Sequence, residues 1–308
     1  MFFLTSYHSK KDPKTLLGNK YEKLLAIMKY HKYIAYCYQG NGAWILKALQ
    51  TLLFELAGPD RLEILLTLKN RPLRLSHLSK KLDFTVQETS RNISRLVEEK
   101  LVVKEADAKF NLTPYGEETL NLIDGFDFLS KHREYFITHT LSTLPKEFSY
   151  NLASLKGCQL VDDVMVAFSN VESMIQKAEE HIWILSNQVL VSTIPYILEA
   201  FERGAEFKLI LPKTVSPPKD AMERIFSPLF LEALKAGKFE LRFLEKVDVQ
   251  LCLSEKQVAS LCFLTTEGKI DYHGFRAEDE LSFKWAKALY SHYWNMATPQ
   301  ENGTIFSR

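Results

Sequence analysis

Side chains that can form paired hydrogen bonds with base edges are concentrated in one short segment, residues 85–100. Arg91 and Arg95 carry guanidinium groups suited to guanine, and Gln87 and Asn92 carry amides suited to adenine, both through the major groove. Spaced on a helix, the polar residues would share an open face: Gln87, Glu88, Ser90, Arg91, Asn92, Ser94 and Arg95. The chemistry that this pattern predicts is recognition of DNA bases.

The elements around this segment would present it to a duplex. A first helix is expected from Asp60, which would cap it with Glu63 reaching back. A second helix is expected over residues 75–82, capped by Ser76, and a third from Thr85, which with Glu88 fits a capping box. The apolar positions of the third helix that would face the core are Val86, Ile93, Leu96 and Val97. Two helices and a reader helix predict a helix-turn-helix.

A hairpin follows the reader helix. Residues 101–104 and 110–113 are expected to form its strands, with Lys104 and Lys109 available to phosphates. This addition turns the motif into a winged helix-turn-helix. The predicted DNA-contacting residues are Ser76, Lys80, Lys81, Thr85, Gln87, Glu88, Ser90, Arg91, Asn92, Arg95, Lys104 and Lys109. An alternative stays open: a solvated helix face often carries such residues, and a winged helix can serve as a non-catalytic adaptor for protein or RNA.

The distribution of charge agrees with DNA binding in the first part of the chain. The whole chain has a net charge of +1, but residues 1–115 hold 19 basic and 11 acidic residues, a net charge of +8. Residues 116–308 have a net charge of −7, and residues 1–47 alone have +6. Attraction of phosphates needs a local basic surface rather than a basic protein, so the first part of the chain is the part expected to meet DNA.

Composition is that of a globular protein with room for two domains: 308 residues, 46% hydrophobic and 25% charged. No apolar run approaches the roughly 18 residues of a membrane helix, so no membrane partner and a cytoplasmic location are expected. The four cysteines show no metal-ligand spacing, and only Cys252 and Cys262 are expected to face each other, across a hairpin. We expect no metal, no cofactor and no catalytic residue.

Domain limits follow from the same patterns. Residues 1–44 form an N-terminal extension, 45–130 the winged-helix domain, 131–165 a connecting segment, 166–298 an α/β regulatory domain and 299–308 a tail, with the boundary near 129–135. A helix over residues 44–56 has a broad apolar surface, which is typical of a homodimer matched to a two-fold operator.

The second half alternates helices and strands. Helices are expected at residues 169–180, 195–203, 221–236 and 277–296, and strands at 181–186, 206–211, 238–244, 249–253 and 257–264. Strand, helix and strand at this spacing indicate a right-handed crossover in a parallel sheet. The fold class is therefore an α+β winged helix followed by an α/β effector-type domain.

The order of several segments resembles the archaeal methanogenesis-regulator, or FilR-like, transcription factors over residues 48–296. The segments are residues 135–145, 181–186, 203–211 and 268–271, followed by Trp285, Leu289 and Tyr293 in the last helix. The resemblance implies a regulator whose winged helix binds an operator and whose second domain responds to a ligand or partner.

The second domain also resembles a phospholipase-D-type half domain, as found in the archaeal sugar-sensing TrmB regulators. The enzymes of that fold use His-x-Lys-x4-Asp, with His as nucleophile. The hairpin expected to hold this motif, residues 249–257, contains no His, and the only His-x-Lys, His8-Ser9-Lys10, has Thr15 in place of Asp. A hydrolase is therefore the least favoured function, because fold alone does not carry a reaction.

A sensing pocket in an open α/β sheet is expected beyond the carboxyl ends of its strands. The residues placed there, with others expected at the rim, are Ser186, Asn187, Gln188, Lys213, Glu245, Gln250, Cys252, Tyr272 and His273. The expected partners are thus double-stranded operator DNA, a small-molecule effector and a second copy of the chain. Binding of effector and of DNA would be reciprocally coupled.

Overall fold

The computed structural model describes residues 42–215 and 227–300, and the chain divides into two compact units between Glu118 and Thr119. Most of the predicted N-terminal extension, most of the predicted tail and part of the helix expected at residues 221–236 lie outside the described residues. The predicted domain boundary at 129–135 lies further along the chain than this division.

The first unit is a winged helix-turn-helix. Its helices are α1 (Gly42–Leu56), α2 (Pro59–Leu68), α3 (Leu75–Leu82) and α4 (Val86–Glu98). Its strands are β1 (Leu73–Arg74), β2 (Val102–Lys104) and β3 (Lys109–Leu112), joined antiparallel in the order β1-β3-β2. The apolar residues that close its core are Ile64, Leu65, Leu68, Leu78, Ile93, Leu96 and Leu101.

Helix starts were predicted with mixed success. The capping box of α4 is confirmed, because the Thr85 side chain accepts from the Glu88 amide and the Glu88 carboxylate accepts from the Thr85 amide. The predicted cap Asp60 is wrong: α2 begins one residue earlier, at Pro59, whose fixed φ suits the first helical position. Ser76 is not a cap either, since β1 runs directly into α3 and Ser76 lies inside the helix. Val86, predicted to be inward, is 57% exposed.

Helix α5 (Pro114–Lys131) follows the wing and contains the division between the units. Its start is fixed by Thr113, whose Oγ1 accepts from the Gly116 amide. Gly116 also lies where a Cβ would come within 2.2 Å of the Leu101 carbonyl oxygen, so the close approach of this turn to the start of the wing requires glycine.

The second unit is built on a mixed sheet. Within the described residues nine strands take part, in the order β12-β8-β7-β6-β9-β10-β11-β5, with β4 paired to β10. They are β4 (His139–Thr140), β5 (Gln159–Val161), β6 (His181–Leu185), β7 (Glu206–Pro212), β8 (Phe239–Leu244), β9 (Val249–Ser254), β10 (Val258–Thr265), β11 (Gly274–Ala277) and β12 (Thr298–Pro299). Strands β6, β7 and β8 are parallel, which confirms the predicted crossover.

Helices cover both faces of this sheet. They are α6 (Arg133–Thr138), α7 (Lys146–Tyr150), α8 (Val164–Lys177), α9 (Ile194–Arg203), α10 (Pro228–Lys235) and α11 (Glu280–Met296), with 3-10 turns at Leu152–Leu155 and Val191–Thr193. Residues of one strand alternate between two cores: Ile182 and Ile184 pack with α8, α9 and α10, whereas Leu185 packs with α11. Among the described helices none has the length and apolar character to cross a membrane.

The segment predicted as a connection, residues 131–165, is part of this unit rather than a linker. Tyr135, Phe148 and Leu155 are buried in its core. Strand β4 pairs with β10 and strand β5 pairs with β11, so the segment completes one side of the sheet.

Candidate functional site

The reader helix α4 presents an open polar surface. Gln87, Ser90, Arg91 and Ser94 are all exposed, at the spacing of one helical face. Their donors and acceptors are of the kinds that recognise base edges. These four residues form the reading face.

Two predicted contact residues at the start of α4 are engaged in its cap. Besides the backbone bonds of the capping box, Thr85 Oγ1 donates to Glu88 Oε2 at 2.8 Å. The hydrogen bonds from the Thr85 side chain and amide lower the pKa of Glu88. Their geometry fixes where the helix begins, and the Glu88 carboxylate sits at the positive end of the helix dipole.

Arg95 and Asn92 are held by the protein itself. Arg95 donates through Nε to Glu55 Oε2 at 3.2 Å, and its Nη2 binds the other oxygen of the same carboxylate. Arg61 Nε lies 2.7 Å from Glu55 Oε2, so one carboxylate bridges two guanidinium groups. Asn92 Nδ2 donates to Asp60 Oδ2 at 3.3 Å. Both were predicted as base readers from the sequence, and both link α4 to the preceding helices.

A groove of about 660 Å³ separates α4 from the wing. Val86, Ser90 and Ser94 line its α4 side, and Lys104, Ala108 and Phe110 line its wing side. Ser76, predicted as a contact, lies on its wall together with Arg74. The groove is therefore lined by two residues of the reading face, Ser90 and Ser94, and by the cationic side chains of Arg74 and Lys104.

The remaining predicted phosphate contacts lie on α3 and the wing. Lys80 and Lys81 are exposed in the last turn of α3. Lys104 Nζ lies 5.9 Å from the centroid of the Phe110 ring, and Lys109 Nζ lies 2.5 Å from Asp107 Oδ2 in the same turn. Hydrogen bonds with Lys109 lower the pKa of Asp107, so part of the charge of Lys109 is already neutralised.

The second unit contains a partly open and largely apolar cavity of about 60 Å³ between the sheet and helices α9 and α10. Of the predicted effector residues, Ser186, Gln188 and Cys252 line it. Gln250 is buried beside it, where its Oε1 accepts from Ser186 Oγ at 3.4 Å.

The other predicted effector residues are not brought to this cavity. Lys213 and Glu245 follow the neighbouring strands β7 and β8 and form an ion pair with each other. Tyr272 donates its hydroxyl to Asn187 Oδ1 at 2.8 Å, and burial raises the pKa of Tyr272 to about 12. The predicted effector residues therefore do not form one site in the second unit.

His273 belongs to a cluster that sequence reasoning missed. His139 Nε2 lies 3.2 Å from both oxygens of Asp271, and His273 Nδ1 lies 3.2 Å from Asp271 Oδ2. The ring of Tyr135 stacks on His139 with centroids 3.8 Å apart. Burial raises the pKa of Asp271, but the hydrogen bonds from His139 and the His273 amide outweigh it, and the net shift is downward. A separation of 132 residues between His139 and Asp271 left no local signal.

The cysteine pair expected across the hairpin is wrong in register. Cys252 lies opposite Ser260, and Cys262 lies opposite Gln250. Both thiols are buried, and burial raises the pKa of Cys262 to about 12. In the described part of the chain, no group of three or more His, Cys, Asp or Glu side chains is arranged to hold a metal ion.

Residues 167–296 match the family model of the middle domain of the methanogenesis regulatory protein FilR1. The match covers strands β6 to β11 and the helices from α8 to α11, and it leaves strands β4, β5 and β12 outside. None of the curated proteins matches this sequence.

The solved structures that are similar to the chain include the following three. TrmBL2, an archaeal chromatin protein, is 15% identical with a TM-score of 0.37, covering 78% of this chain and 94% of its own. Nuc from Salmonella typhimurium, a phospholipase D family member, is 11% identical with a TM-score of 0.34, covering 47% and 98%. NucT from Helicobacter pylori is 13% identical with a TM-score of 0.35, covering 46% and 97%. At these identities no residue role passes from those proteins to this chain.

Proposed function

We propose that this chain, whose residues 167–296 match the middle domain of a regulatory protein, is a DNA-binding transcriptional regulator. The winged helix binds double-stranded operator DNA, and the second unit senses a small molecule. In this proposal the chain works as a homodimer in the cytoplasm and catalyses no reaction.

The observation that carries the proposal is the reading face beside the groove. Arg91 supplies a guanidinium for guanine, Gln87 an amide for adenine, and Ser90 and Ser94 hydroxyls for either. Lys104, across the groove, supplies charge for the backbone. Arg95 and Asn92, which bind other side chains of the winged helix, hold α4 in place. A helix that is already fixed loses little conformational freedom when it binds DNA.

A homodimer is supported by helix α1. Leu46, Leu49 and Leu53 are 43%, 49% and 50% exposed, at intervals of three and four residues. This stripe is the pattern with which two helices pack against each other. A second copy would shield it and would place two reader helices on a two-fold operator.

Sensing is supported by the cavity of the second unit. The cavity is partly open and largely apolar, and through Ser186 and Gln188 it reaches the carboxyl end of β6, the kind of strand end at which open α/β sheets bind ligands. An effector that binds there and changes operator affinity must have its own affinity changed by DNA to the same extent.

The test of DNA binding is fluorescence anisotropy with the DNA upstream of the gene and with a scrambled duplex, over a salt series. Tight binding to the upstream duplex with a negative salt slope and a weaker affinity for the scrambled duplex supports the regulator. The same weak affinity for both duplexes at low salt, or none, contradicts it and favours the adaptor that binds protein or RNA.

Arg91→Ala provides the test at residue level. The variant should lose about 1–3 kcal/mol on the specific duplex if Arg91 binds a guanine. Arg133→Ala, which removes the same charge from an exposed position in the second unit, is the matched control. Equal affinities of the two variants for the specific duplex would mean that Arg91 does not contact a base.

A further inference from the structure

We propose that the cavity of the second unit takes a small, uncharged and largely apolar molecule of a few heavy atoms, smaller than a benzene ring. The inference rests on the proposed sensing function and names the chemical class of its effector. It separates this cavity from Lys213 and Glu245, the charged strand-end residues expected to bind the effector.

Most of the residues that line the cavity are apolar. The sheet contributes Ile184, Phe207, Leu209 and Phe239, and the helices and the loop after β6 contribute Val189, Leu190, Ile194, Ile197, Leu198 and Phe230. These residues belong to the core cluster on this face of the sheet or pack against it. A ligand inside would therefore exchange water for hydrocarbon over most of its surface, which favours apolar ligands.

The hydroxyl groups at the cavity have partners within the protein. Ser186 Oγ donates to Gln250 Oε1 and accepts from the Gln188 amide at 3.3 Å. Thr193 Oγ1 donates to the Leu190 carbonyl oxygen at 2.7 Å. Burial raises the pKa of Cys252, so its thiol stays neutral at physiological pH. A polar contact with a ligand is therefore restricted to Ser186 and the exposed side chain of Gln188.

Charge is excluded by the same lining. The described residues that form the walls include no Asp, Glu, Lys, Arg or His. An ion that entered would lose its hydration without gaining a counter-charge, which is strongly unfavourable. Lys213 and Glu245, the charged residues expected at the site, pair with each other and are not among the lining residues. Phosphorylated or carboxylate-bearing effectors are therefore the wrong class for this cavity.

Size restricts the ligand further. A cavity of about 60 Å³ is larger than the roughly 10–15 Å³ that one water molecule needs and less than half of the roughly 150 Å³ of a cavity that binds benzene. The space therefore suits a compact group of a few heavy atoms rather than a ring. A ligand there would contact both α9 and α10 against the sheet, so binding should raise the melting temperature of the second unit.

The experiment uses xenon and iodide, which have the same number of electrons and nearly the same size and differ in charge, on the full chain labelled at isoleucine methyl groups. Xenon should shift the methyl signals of Ile184, Ile194 and Ile197 in a saturable way, while Ile64 and Ile93 of the winged helix stay unchanged. Iodide at the same concentration should shift none of them. Equal effects of the two probes on the cavity signals, or no effect of xenon, would overturn the proposal.

Cavity-filling variants make the site assignment specific. Ile197→Phe and Leu198→Phe each insert bulk from α9 and should weaken xenon binding at least tenfold, and the second variant serves if the first does not fold. Leu234→Phe, on α10 but not among the lining residues, should leave it unchanged. If Leu234→Phe lost as much affinity as the folded cavity variants, the site would lie elsewhere.

Operator binding measured with and without xenon separates this inference from the proposed function. Xenon binding that leaves operator affinity unchanged would overturn the sensing function while the ligand class stands. Intact operator binding by a protein that does not take up xenon would overturn the ligand class and leave DNA binding in place.

Discussion

Glu55, near the end of helix α1, and Arg95, in the reader helix α4, form an ion pair whose carboxylate is almost completely buried. The Glu55 side chain is 5% exposed, whereas Arg95 is 40% exposed. The Phe54 ring lies below both Arg95 and Arg61, at 5.2 and 5.6 Å from their guanidinium carbons. A helix outside the helix-turn-helix motif thereby fixes the helix that would read bases.

We predict that Glu55→Gln lowers the free energy of unfolding of the first unit by about 1–3 kcal/mol, because two guanidinium groups lose their shared counter-charge. The value is below that of a fully buried pair because Arg95 is partly solvated. Urea denaturation measures it, with Glu63→Gln, an exposed change on α2, as control. Equal stability of the two variants would contradict a structural role for the pair.

The pair also shows where sequence reasoning reached its limit in the first unit. The capping box of α4 joins Thr85 and Glu88, which are three residues apart, and such a local hydrogen bond can be predicted from the sequence. Glu55 and Arg95 are 40 residues apart, so their pairing depends on how α1 packs against α4. Strand β1 was missed for a similar reason, since its two residues are a strand only through pairing with β3.

In DNA binding we expect Lys104→Ala to reduce the salt dependence of affinity. Loss of one phosphate contact should make the slope of log K against log salt concentration less negative by about 0.9. It should also weaken binding to all DNA sequences alike. Anisotropy titrations at four salt concentrations give the slope. Lys284→Ala, on the exposed surface of α11, should leave the slope unchanged. An unchanged slope for Lys104→Ala would mean that the wing does not contact the backbone.

The leucine stripe on α1 predicts the oligomeric state. Leu49→Asp should convert a dimer into a monomer, because a buried carboxylate at the centre of an apolar contact is unfavourable. Light scattering after size exclusion reports the mass directly. Ala48→Asp places the same charge on an exposed residue on the opposite side of α1 and should stay dimeric. A monomeric wild-type protein at micromolar concentration would contradict the dimer.

We predict that the stability of the second unit depends on pH through Asp271. The folded pKa of Asp271 is lowered, so its ionised form stabilises the fold above the unfolded value of about 3.9, and this contribution disappears as pH falls through the folded pKa. Asp271→Asn should therefore be less stable than wild type at pH 6–7 by about 1–2 kcal/mol, with the gap narrowing towards pH 3.

The matched control for this prediction is Asp162→Asn, an exposed change in the same unit. It should follow the wild-type stability at every pH. A gap between wild type and Asp271→Asn that did not change with pH would assign the effect to lost packing near His139 and His273 rather than to charge.

Prediction of the second unit succeeded where apolar residues are concentrated in segments of strand length. Such segments located β6 to β10, and the strand-end argument found Ser186 and Gln188 at the cavity. Lys213 and Glu245 also follow strand ends, but the parallel register of β7 and β8 places them beside each other, where opposite charges pair. Sequence position cannot distinguish a strand end that opens on a cavity from one that faces a neighbouring side chain.

Strands β4 and β5 have a practical consequence for any truncated form of the protein. A fragment that starts at residue 167, where the family match begins, would leave the outer edge of β11 and the end of β10 without their hydrogen-bonding neighbours. It would also lose Tyr135, Phe148 and Leu155 from beneath α11. Exposed strand edges over an opened core favour aggregation. The shortest fragment worth expressing therefore begins near residue 119, and insolubility of a shorter one would carry no information about its ligands.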